Sequence, residues 1–186
     1  EMRATPVINA IGNRTLLGGS APSVSVRQAM EAANRYYVDM GELLESTGEV
    51  IAQLLGCEAA LVTPGCAAAL LLGTAGCMTG DDEEKMGRLP DAAGMKSKVL
   101  IQKTQRYKYD RVVRMAGTTL VEVGGDSGAT ADQLAAAMGA DTLAVLYPAI
   151  GLPEGDTLSL EETIRVAHQS DVPVIVDAAY QVYPVE

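Results

Sequence analysis

Hydrophobic positions in the first third of the chain recur at the spacing of helices. One apolar face runs through residues 25–37 and a second starts at about residue 41, and polar residues fill the intervening positions. The pattern therefore predicts two amphipathic helices. Their apolar faces are Val26, Met30, Ala33 and Tyr37 in the first, and Leu43, Thr47, Val50, Ile51 and Leu54 in the second.

Beyond residue 58 the hydrophobic residues come in short aliphatic runs, and these runs alternate with helix-like segments. Such runs, rich in β-branched residues and bounded by turn residues, are typical of buried strands. The predicted strands are AALV (59–62), KVLIQ (98–102), TLVEV (119–123), TLAVLY (142–147) and VPVIV (172–176).

Helices are predicted between these strands, over residues 66–78 and 109–116 and after two capping signals. Thr130 with Gln133, and Ser159 with Glu162, have the spacing of a capping box at the start of an apolar-patterned helix. The regular alternation of strand and helix predicts an α/β fold with a mainly parallel sheet and helices on both faces. We expect residues 1–40 to form an amino-terminal segment with the first helix, and residues 41–186 to form the sheet domain.

Composition and charge narrow the function classes. The 186 residues carry 24 acidic and 14 basic side chains, a net charge of −10, which disfavours non-specific binding to nucleic acid or an anionic membrane. No apolar run approaches the roughly 20 residues of a membrane span, and no signal core is visible, so we predict a cytoplasmic protein. Three cysteines without C-x-x-C spacing indicate neither a disulfide framework nor a zinc site.

Two strand ends carry candidate chemistry, because ligands of such sheets bind beyond the carboxyl ends of the strands. After Val62, the turn to Gly65, Cys66 and Ala67 opens a helix with side chains small enough to leave its amides accessible to a phosphate. Taken alone, the turn is better explained by close helix packing than by phosphate binding. Asp177 follows the last strand, either as a helix cap or as a carboxylate aimed at a cationic ring nitrogen. Pyridoxal 5'-phosphate needs both features.

Several segments carry a resemblance to a known family that extends over nearly the whole chain. Their order and spacing resemble the selenocysteine synthase-like branch of the fold-type-I pyridoxal phosphate enzymes, and the resemblance implies the large domain of that fold. This branch includes selenium transferases that act on seryl-tRNA and ammonia-lyases that act on amino-sugar acid phosphates. The segments are VINAIGNRTLLGGS (7–20), VTPGCAAALLLGTAGCMTGDD (62–82), RLPDAAGMKSKVLIQ (88–102), YDRVVRMAGTTLVEVG (109–124) and VPVIVDAA (172–179).

The resemblance implies roles for the two strand ends. Gly65, Cys66 and Ala67 would hold the cofactor phosphate, and Asp177 would be the catalytic residue that pairs with the pyridinium nitrogen. The expected reaction eliminates a β-substituent and ammonia from a small anionic amino acid such as an amino-sugar acid phosphate. Selenium transfer to seryl-tRNA is the alternative, and a non-catalytic structural or regulatory relative is a third. A homo-oligomer is implied as well.

One component of that family is missing from the chain. Fold-type-I enzymes bind the cofactor through a lysine that follows the aspartate strand, whereas no lysine follows Lys108 here. We therefore expect the Schiff-base lysine and the carboxyl-terminal part of the enzyme to lie beyond Glu186, and the chain to be inactive alone. Gln105 stands where relatives carry a histidine that stacks on the cofactor ring, and Tyr107 is a substitute candidate for stacking.

A basic cluster lies between residues 96 and 114. Within it, Lys96 and Arg106 are candidate substrate-binding residues for an anion; a tRNA contact and a solvated surface are the alternatives. Cys66 is a further candidate, since a thiol at a helix amino terminus can act as a nucleophile. His168 lies in the helix before the last strand, where a role at the helix terminus is favoured over catalysis. The basic residues are Lys96, Lys98, Lys103, Arg106, Lys108, Arg111 and Arg114.

Overall fold

A computed structural model of the protein describes residues 3–12, 14–150 and 157–181. The chain forms two compact units, Glu1–Val62 and Thr63–Glu186. Contacts thus divide the chain at residue 62, while the domain boundary predicted at residue 40 stays a prediction. No helix in the described ranges is long and apolar enough to cross a membrane.

The first unit contains the two predicted helices, α1 (Val24–Ala33) and α2 (Met40–Leu55). Each begins at a side chain that accepts a hydrogen bond from a backbone amide of the first turn, Ser23 for α1 and Asp39 for α2. Gly56 ends α2 in the left-handed conformation with φ of 65°. The helix predicted to reach residue 37 thus ends four residues earlier.

The strand predicted at residues 59–62 is wrong. This segment is irregular, and the backbone near Ala60 lies against α2. A Cβ atom added at Gly48 of α2 would lie 2.4 Å from the carbonyl oxygen of Ala60, so only glycine permits this approach. The contact with the helix is made by the backbone of Ala60, while the side chains of Leu61 and Val62 are exposed.

The second unit contains the sheet. Its four strands are parallel and lie in the order β2-β1-β3-β4. The strands are β1 (Lys98–Gln102), β2 (Thr119–Val123), β3 (Thr142–Pro148) and β4 (Val174–Asp177). The helices are α3 (Cys66–Thr79), α4 (Glu83–Arg88), α5 (Ala131–Ala137) and α6 (Leu160–His168).

Helices cover both faces of this sheet, because the strands are apolar on both sides. Val99 and Ile101 of β1 pack in one cluster with Leu70 of α3, whereas Leu100 packs in a second cluster with Leu134 of α5. Successive strand residues point to opposite faces, which explains the division. The predicted α/β class with a parallel sheet between helices is confirmed.

The helices predicted in this unit are present, and the structure adds the short helix α4, which the sequence did not predict. Thr130 forms the full capping box with Gln133, while Ser159 accepts a hydrogen bond from the amide of Glu162 at the start of α6. The helix predicted at 109–116 is a 3₁₀ helix over Asp110–Ala116. The last strand begins at Val174, two residues later than predicted.

A buried glutamine joins the end of β1 to the start of α6. The Gln102 side chain, fully buried, accepts a hydrogen bond from the Leu158 amide at 2.7 Å and donates one to the Leu158 carbonyl at 3.3 Å. The same side-chain nitrogen donates to Oε1 of Gln105 at 3.1 Å. Because these groups are buried, the bonds fix the chain where it enters α6 to the carboxyl end of β1.

Candidate functional site

Asp177 is the last residue of β4, where the strand reaches the carboxyl edge of the sheet. Its backbone carbonyl accepts a hydrogen bond from the Ala149 amide at 2.8 Å, which ties it to the chain after β3. The residue is only 5% exposed. Buried carboxylates are rare in proteins unless hydrogen bonds compensate the lost hydration, so the partners of this one matter.

Three donors surround the Asp177 carboxylate. The Tyr107 hydroxyl donates a short hydrogen bond to Oδ2, the Cys66 thiol donates to Oδ1 at 3.2 Å, and the Ala179 amide donates to Oδ1 at 3.2 Å. The three donors come from the segment after β1, the first turn of α3 and the chain after β4. The sequence predicted that Cys66 and Asp177 share a site, and the structure brings them into contact.

The amino terminus of α3 is open. Gly65 precedes the helix with φ of 144° and ψ of 171°, a backbone conformation that is essentially restricted to glycine. Glycine offers no side chain to cap the helix, and the first bond of the helix runs from the Ala69 amide to the Gly65 carbonyl at 3.0 Å. The amides of Cys66, Ala67 and Ala68 therefore have no partner within the helix and can donate to an anion.

The electrostatics of this site oppose ionisation of its donors. The Cys66 residue is exposed, but part of its thiol is shielded from water where it meets Asp177. This partial burial, followed by the hydrogen bond to Asp177 and its negative charge, raises the pKa of the Cys66 thiol to about 11. The same causes raise the pKa of the Tyr107 hydroxyl well above its ordinary value. Both groups are protonated at neutral pH and act as hydrogen-bond donors. The raised pKa disfavours the hypothesis of a nucleophilic Cys66.

Tyr107 is held on three sides. Its ring packs against the core cluster of α3 and β1 and meets the ring of Tyr109 edge to face, with ring centres 6.2 Å apart. Its backbone amide donates to Oδ2 of the buried Asp110 at 3.1 Å. Asp110 forms an ion pair with Arg106, which also pairs with Glu122 of β2. Sequence reasoning considered Tyr107 only for stacking and missed its hydrogen bond to the carboxylate.

Gln105 stands where relatives carry a histidine that stacks on the cofactor ring, but here the side chain is almost fully buried. Its side chain is 1% exposed and accepts the hydrogen bond from Gln102, while its Nε2 has no partner in the described part of the chain. A buried amide without an acceptor costs about 1 to 3 kcal/mol. The donor capacity of this buried nitrogen is unused in the described part of the chain, and the cofactor contact predicted for Gln105 stays a prediction.

The two candidate substrate-binding residues lie at opposite ends of β1. Arg106 follows the carboxyl end, near Asp177, but the ion pairs with Asp110 and Glu122 compensate its charge. The hydrogen bond to Asp110, the largest cause, raises the pKa of Arg106 further. Lys96 is exposed before the amino end of the strand, so the length of β1, about 13 Å for four steps of about 3.3 Å, lies between it and the carboxyl end. The structure does not bring Lys96 to the site.

Other members of the basic cluster are also paired with acids. Lys98 forms an ion pair with Asp141, and Lys103 forms one with Asp126. His168 is exposed in the last turn of α6, next to the amino end of β4 and so at the edge opposite Asp177. This position agrees with the role at a helix terminus that the sequence favoured.

The residues at this edge fit pyridoxal 5'-phosphate. The open amides of α3 suit a phosphate group, and the φ of 144° at Gly65 explains why that position is glycine. A carboxylate has about four acceptor sites, and the three described donors leave one of them, on Oδ2 of Asp177. The protonated ring nitrogen of pyridoxal phosphate is an N–H donor, and this remaining site on Oδ2 can accept its hydrogen bond.

Comparison with known proteins also indicates a pyridoxal 5'-phosphate enzyme. Residues 11–186 match the family described as aminotransferase class I and II. D-glucosaminate-6-phosphate ammonia lyase from Salmonella typhimurium is 32% identical over 178 residues, which cover 93% of this chain and 48% of that protein. 5'-C-glycyluridine monooxygenase-decarboxylase from Streptomyces sp is 32% identical over 192 residues, covering 96% of this chain and 47% of that protein.

Solved structures support the fold. A structure of D-glucosaminate-6-phosphate ammonia-lyase matches with a TM-score of 0.86 and 30% identity, over 91% of this chain and 47% of that one. An alanine aminotransferase from Pyrococcus furiosus, 20% identical, shares the fold with a TM-score of 0.54 over 86% of this chain and 40% of that one.

The chain spans about half the length of the curated relatives that it matches. The narrower assignment to the selenocysteine synthase-like branch stays a prediction. The family match covers nearly the whole chain, and the cofactor predicted from the two strand ends is the one that this family uses. The chain belongs to the aminotransferase class I and II family of fold-type-I pyridoxal 5'-phosphate enzymes.

Proposed function

We propose that the protein is a pyridoxal 5'-phosphate-dependent lyase. It eliminates a β-substituent and ammonia from a small anionic amino acid, and the substrate class is an amino-sugar acid phosphate. The observation that carries the proposal is the buried Asp177 carboxylate, which lies beside the open amino terminus of α3. The likeness to D-glucosaminate-6-phosphate ammonia lyase in sequence and in structure supports the substrate class.

The residues of this chain have distinct roles in such a reaction. The amides of Cys66 and Ala67 bind the phosphate, aided by the dipole of α3. Asp177 holds a negative charge in a site shielded from water and thereby keeps a proton on the ring nitrogen. When bound, pyridoxal phosphate supplies an electron sink that stabilises negative charge developing on the substrate.

Arg106 is the better of the two candidates for the substrate anion, because it lies at the same sheet edge as Asp177. Its ion pairs with Asp110 and Glu122 limit the charge that it can offer. Gln105 contributes an amide donor whose capacity is unused in the described chain. Lys96 is disfavoured by its position before the amino end of β1.

Selenium transfer to seryl-tRNA is the second candidate from the sequence, and a non-catalytic relative is the third. The net charge of −10 and the ion pairs of Lys98, Lys103 and Arg106 favour a small anion over a polyanionic tRNA. A homo-oligomer in the cytoplasm remains part of the proposal, as the resemblance and composition predicted.

The test uses the natural full-length protein. Its visible spectrum is recorded, the protein is reduced with borohydride, and the pyridoxyl-modified residue is located by peptide mass mapping. We expect a cofactor band and one modified lysine on the carboxyl side of Asp177. Incubation with D-glucosaminate 6-phosphate should release ammonia and a keto acid in equal amounts. A protein with no band and no modified lysine in the presence of added cofactor would favour the non-catalytic relative.

The variant Asp177→Asn isolates the role of the carboxylate, since it removes the charge and keeps the shape. We expect ammonia release to fall by about 100-fold, the scale of losing one preorganised electrostatic partner. The matched control is Asp171→Asn, which is exposed six residues earlier and has φ of 52°, a conformation that asparagine accepts. Equal losses in both variants would contradict the role of Asp177.

A further inference from the structure

Tyr107 makes a contact that the family assignment does not explain. Its hydroxyl donates to Oδ2 of Asp177, the oxygen on which the described residues leave one acceptor site unused, whereas both sites of Oδ1 are taken by Cys66 and Ala179. A further donor to the Asp177 carboxylate would therefore bind the same oxygen as Tyr107. The orientation of that site depends on the position of the phenol.

The position of the phenol is itself fixed by the surrounding structure. The ring packs against the core cluster of α3 and β1 and against Tyr109, and the backbone amide is bonded to Asp110. The Asp110 carboxylate is 4% exposed and is bound by Arg106. A rigid donor on one oxygen restricts rotation of a carboxylate, which is how outer residues usually orient a functional group.

We propose that Tyr107 is a positioning residue, which holds the Asp177 carboxylate in the orientation that receives the cofactor ring nitrogen. This inference rests on the proposed cofactor site and adds a residue to it. The phenol acts through Asp177, with its own proton retained throughout. The titratable groups that face it are Asp177, Cys66 and Asp110, and their combined effect with burial is to raise the pKa of Tyr107.

The first experiment measures cofactor affinity. Full-length protein freed of cofactor is titrated with pyridoxal 5'-phosphate, and binding is followed by absorbance for the wild type, Tyr107→Phe and Tyr109→Phe. We expect about tenfold weaker binding for Tyr107→Phe, equivalent to about 1.4 kcal/mol. Tyr109→Phe is the matched control and should bind within twofold of wild type. Unchanged or tighter binding by Tyr107→Phe would overturn the proposal, because tighter binding would mean that the phenol competes with the cofactor.

A double-mutant cycle shows whether Tyr107 acts through Asp177. In the Asp177→Asn background, Tyr107→Phe should cause no further loss of affinity, since the group that it positions no longer carries a charge. An undiminished tenfold effect in that background would assign Tyr107 an independent role and overturn the proposal.

A third measurement needs no bound cofactor. Absorbance at the phenolate wavelength is followed while the pH of the cofactor-free protein is raised. We expect Asp177→Asn to contain one tyrosine that ionises at lower pH than in the wild type, and this change should vanish when Tyr107→Phe is added. Burial is the largest cause of the raised pKa of Tyr107, so this change should be partial. Ionisation of Tyr107 at the same pH in both folded proteins would overturn the proposal. If the wild type binds no pyridoxal phosphate, the proposed function fails, while this titration still decides whether the contact exists.

Discussion

At the scale of single residues, two influences on the Cys66 thiol oppose each other. The amino terminus of α3 favours a negative charge on the sulfur through the helix dipole. Burial and the neighbouring Asp177 carboxylate disfavour it, and the pKa is raised. Partial burial, the largest cause, together with the hydrogen bond to Asp177 at 3.2 Å and its charge, outweighs the partial charge of the helix end. The thiol therefore serves as a donor to Asp177.

This balance predicts slow alkylation of Cys66. With a pKa of about 11 in place of 9.0, its thiolate fraction at pH 8 falls by about 100-fold. The greater nucleophilicity of a more basic thiolate recovers about tenfold of this loss, so the rate with iodoacetamide should be roughly tenfold below that of an unperturbed thiol. Mass mapping of alkylated peptides over time measures the rate.

Two comparisons sharpen the alkylation experiment. Cys57 is exposed like Cys66 but has no contact with Asp177, so it serves as the internal reference in the same sample. Asp177→Asn should accelerate labelling of Cys66 only in part, because burial is the larger cause of the raised pKa. Labelling of Cys66 faster than Cys57 in the wild type would contradict the predicted protonated thiol.

The sequence identified Asp177 and Cys66 as site residues and missed the hydrogen bond from Tyr107. Asp177 was predictable because a carboxylate after a β-branched run has few structural uses, and Cys66 was predictable because small residues after a Gly turn indicate an open helix terminus. The Tyr107 contact was not predictable. It spans 70 residues of sequence and depends on how the 3₁₀ segments after β1 turn the phenol toward β4, which no local pattern encodes.

At the scale of elements, the start of α3 depends on one backbone conformation. Gly65 has φ of 144°, and a Cβ added there would meet no atom within 4 Å. A substitution at this position therefore costs stability through the backbone, with no steric clash involved. Strain of this type is about 1 to 3 kcal/mol.

Gly65→Ala should lower the free energy of unfolding by that amount, and it should also weaken the binding of pyridoxal phosphate by disturbing the first amides of α3. The matched control is Gly76→Ala inside the same helix, where the site is exposed and no atom lies within 4 Å. Alanine there should stabilise the protein by up to about 1 kcal/mol. Urea unfolding measures both. A neutral Gly65→Ala would show that the turn relaxes to an ordinary conformation.

Elements were predicted well where their signal was local. The strands KVLIQ and TLVEV match β1 and β2 to the residue, because both are short apolar runs between clear breakers. The strand predicted at residues 59–62 failed because an apolar run does not show what its backbone will contact, and here the Ala60 carbonyl lies against Gly48 of α2. The link from Gln102 to Leu158 was also missed, since a polar residue at a strand end does not show which distant loop it will bind.

At the scale of the whole molecule, the sheet domain depends on two separate cores. Ile101 belongs to the cluster under α3, and Leu134 of α5 belongs to the cluster on the opposite face; both are fully buried. The carboxyl edge that carries Asp177 lies between these layers, since β1 and β3 contribute residues to both clusters. Loss of either layer should therefore loosen the sheet that fixes the site.

Ile101→Ala and Leu134→Ala should each lower the free energy of unfolding by about 2 to 5 kcal/mol, the usual cost of truncating a large buried aliphatic side chain. Leu72→Ala, on α3 but 48% exposed, is the matched control and should cost less than about 1 kcal/mol. Since the two clusters lie on opposite faces and share no side chain, the losses in the double variant should add to within about 0.5 kcal/mol. Urea unfolding of the full-length protein measures all four variants. A marked departure from additivity would show that the faces are coupled through the sheet, in which case a core substitution on the α5 face would also change cofactor affinity at Asp177.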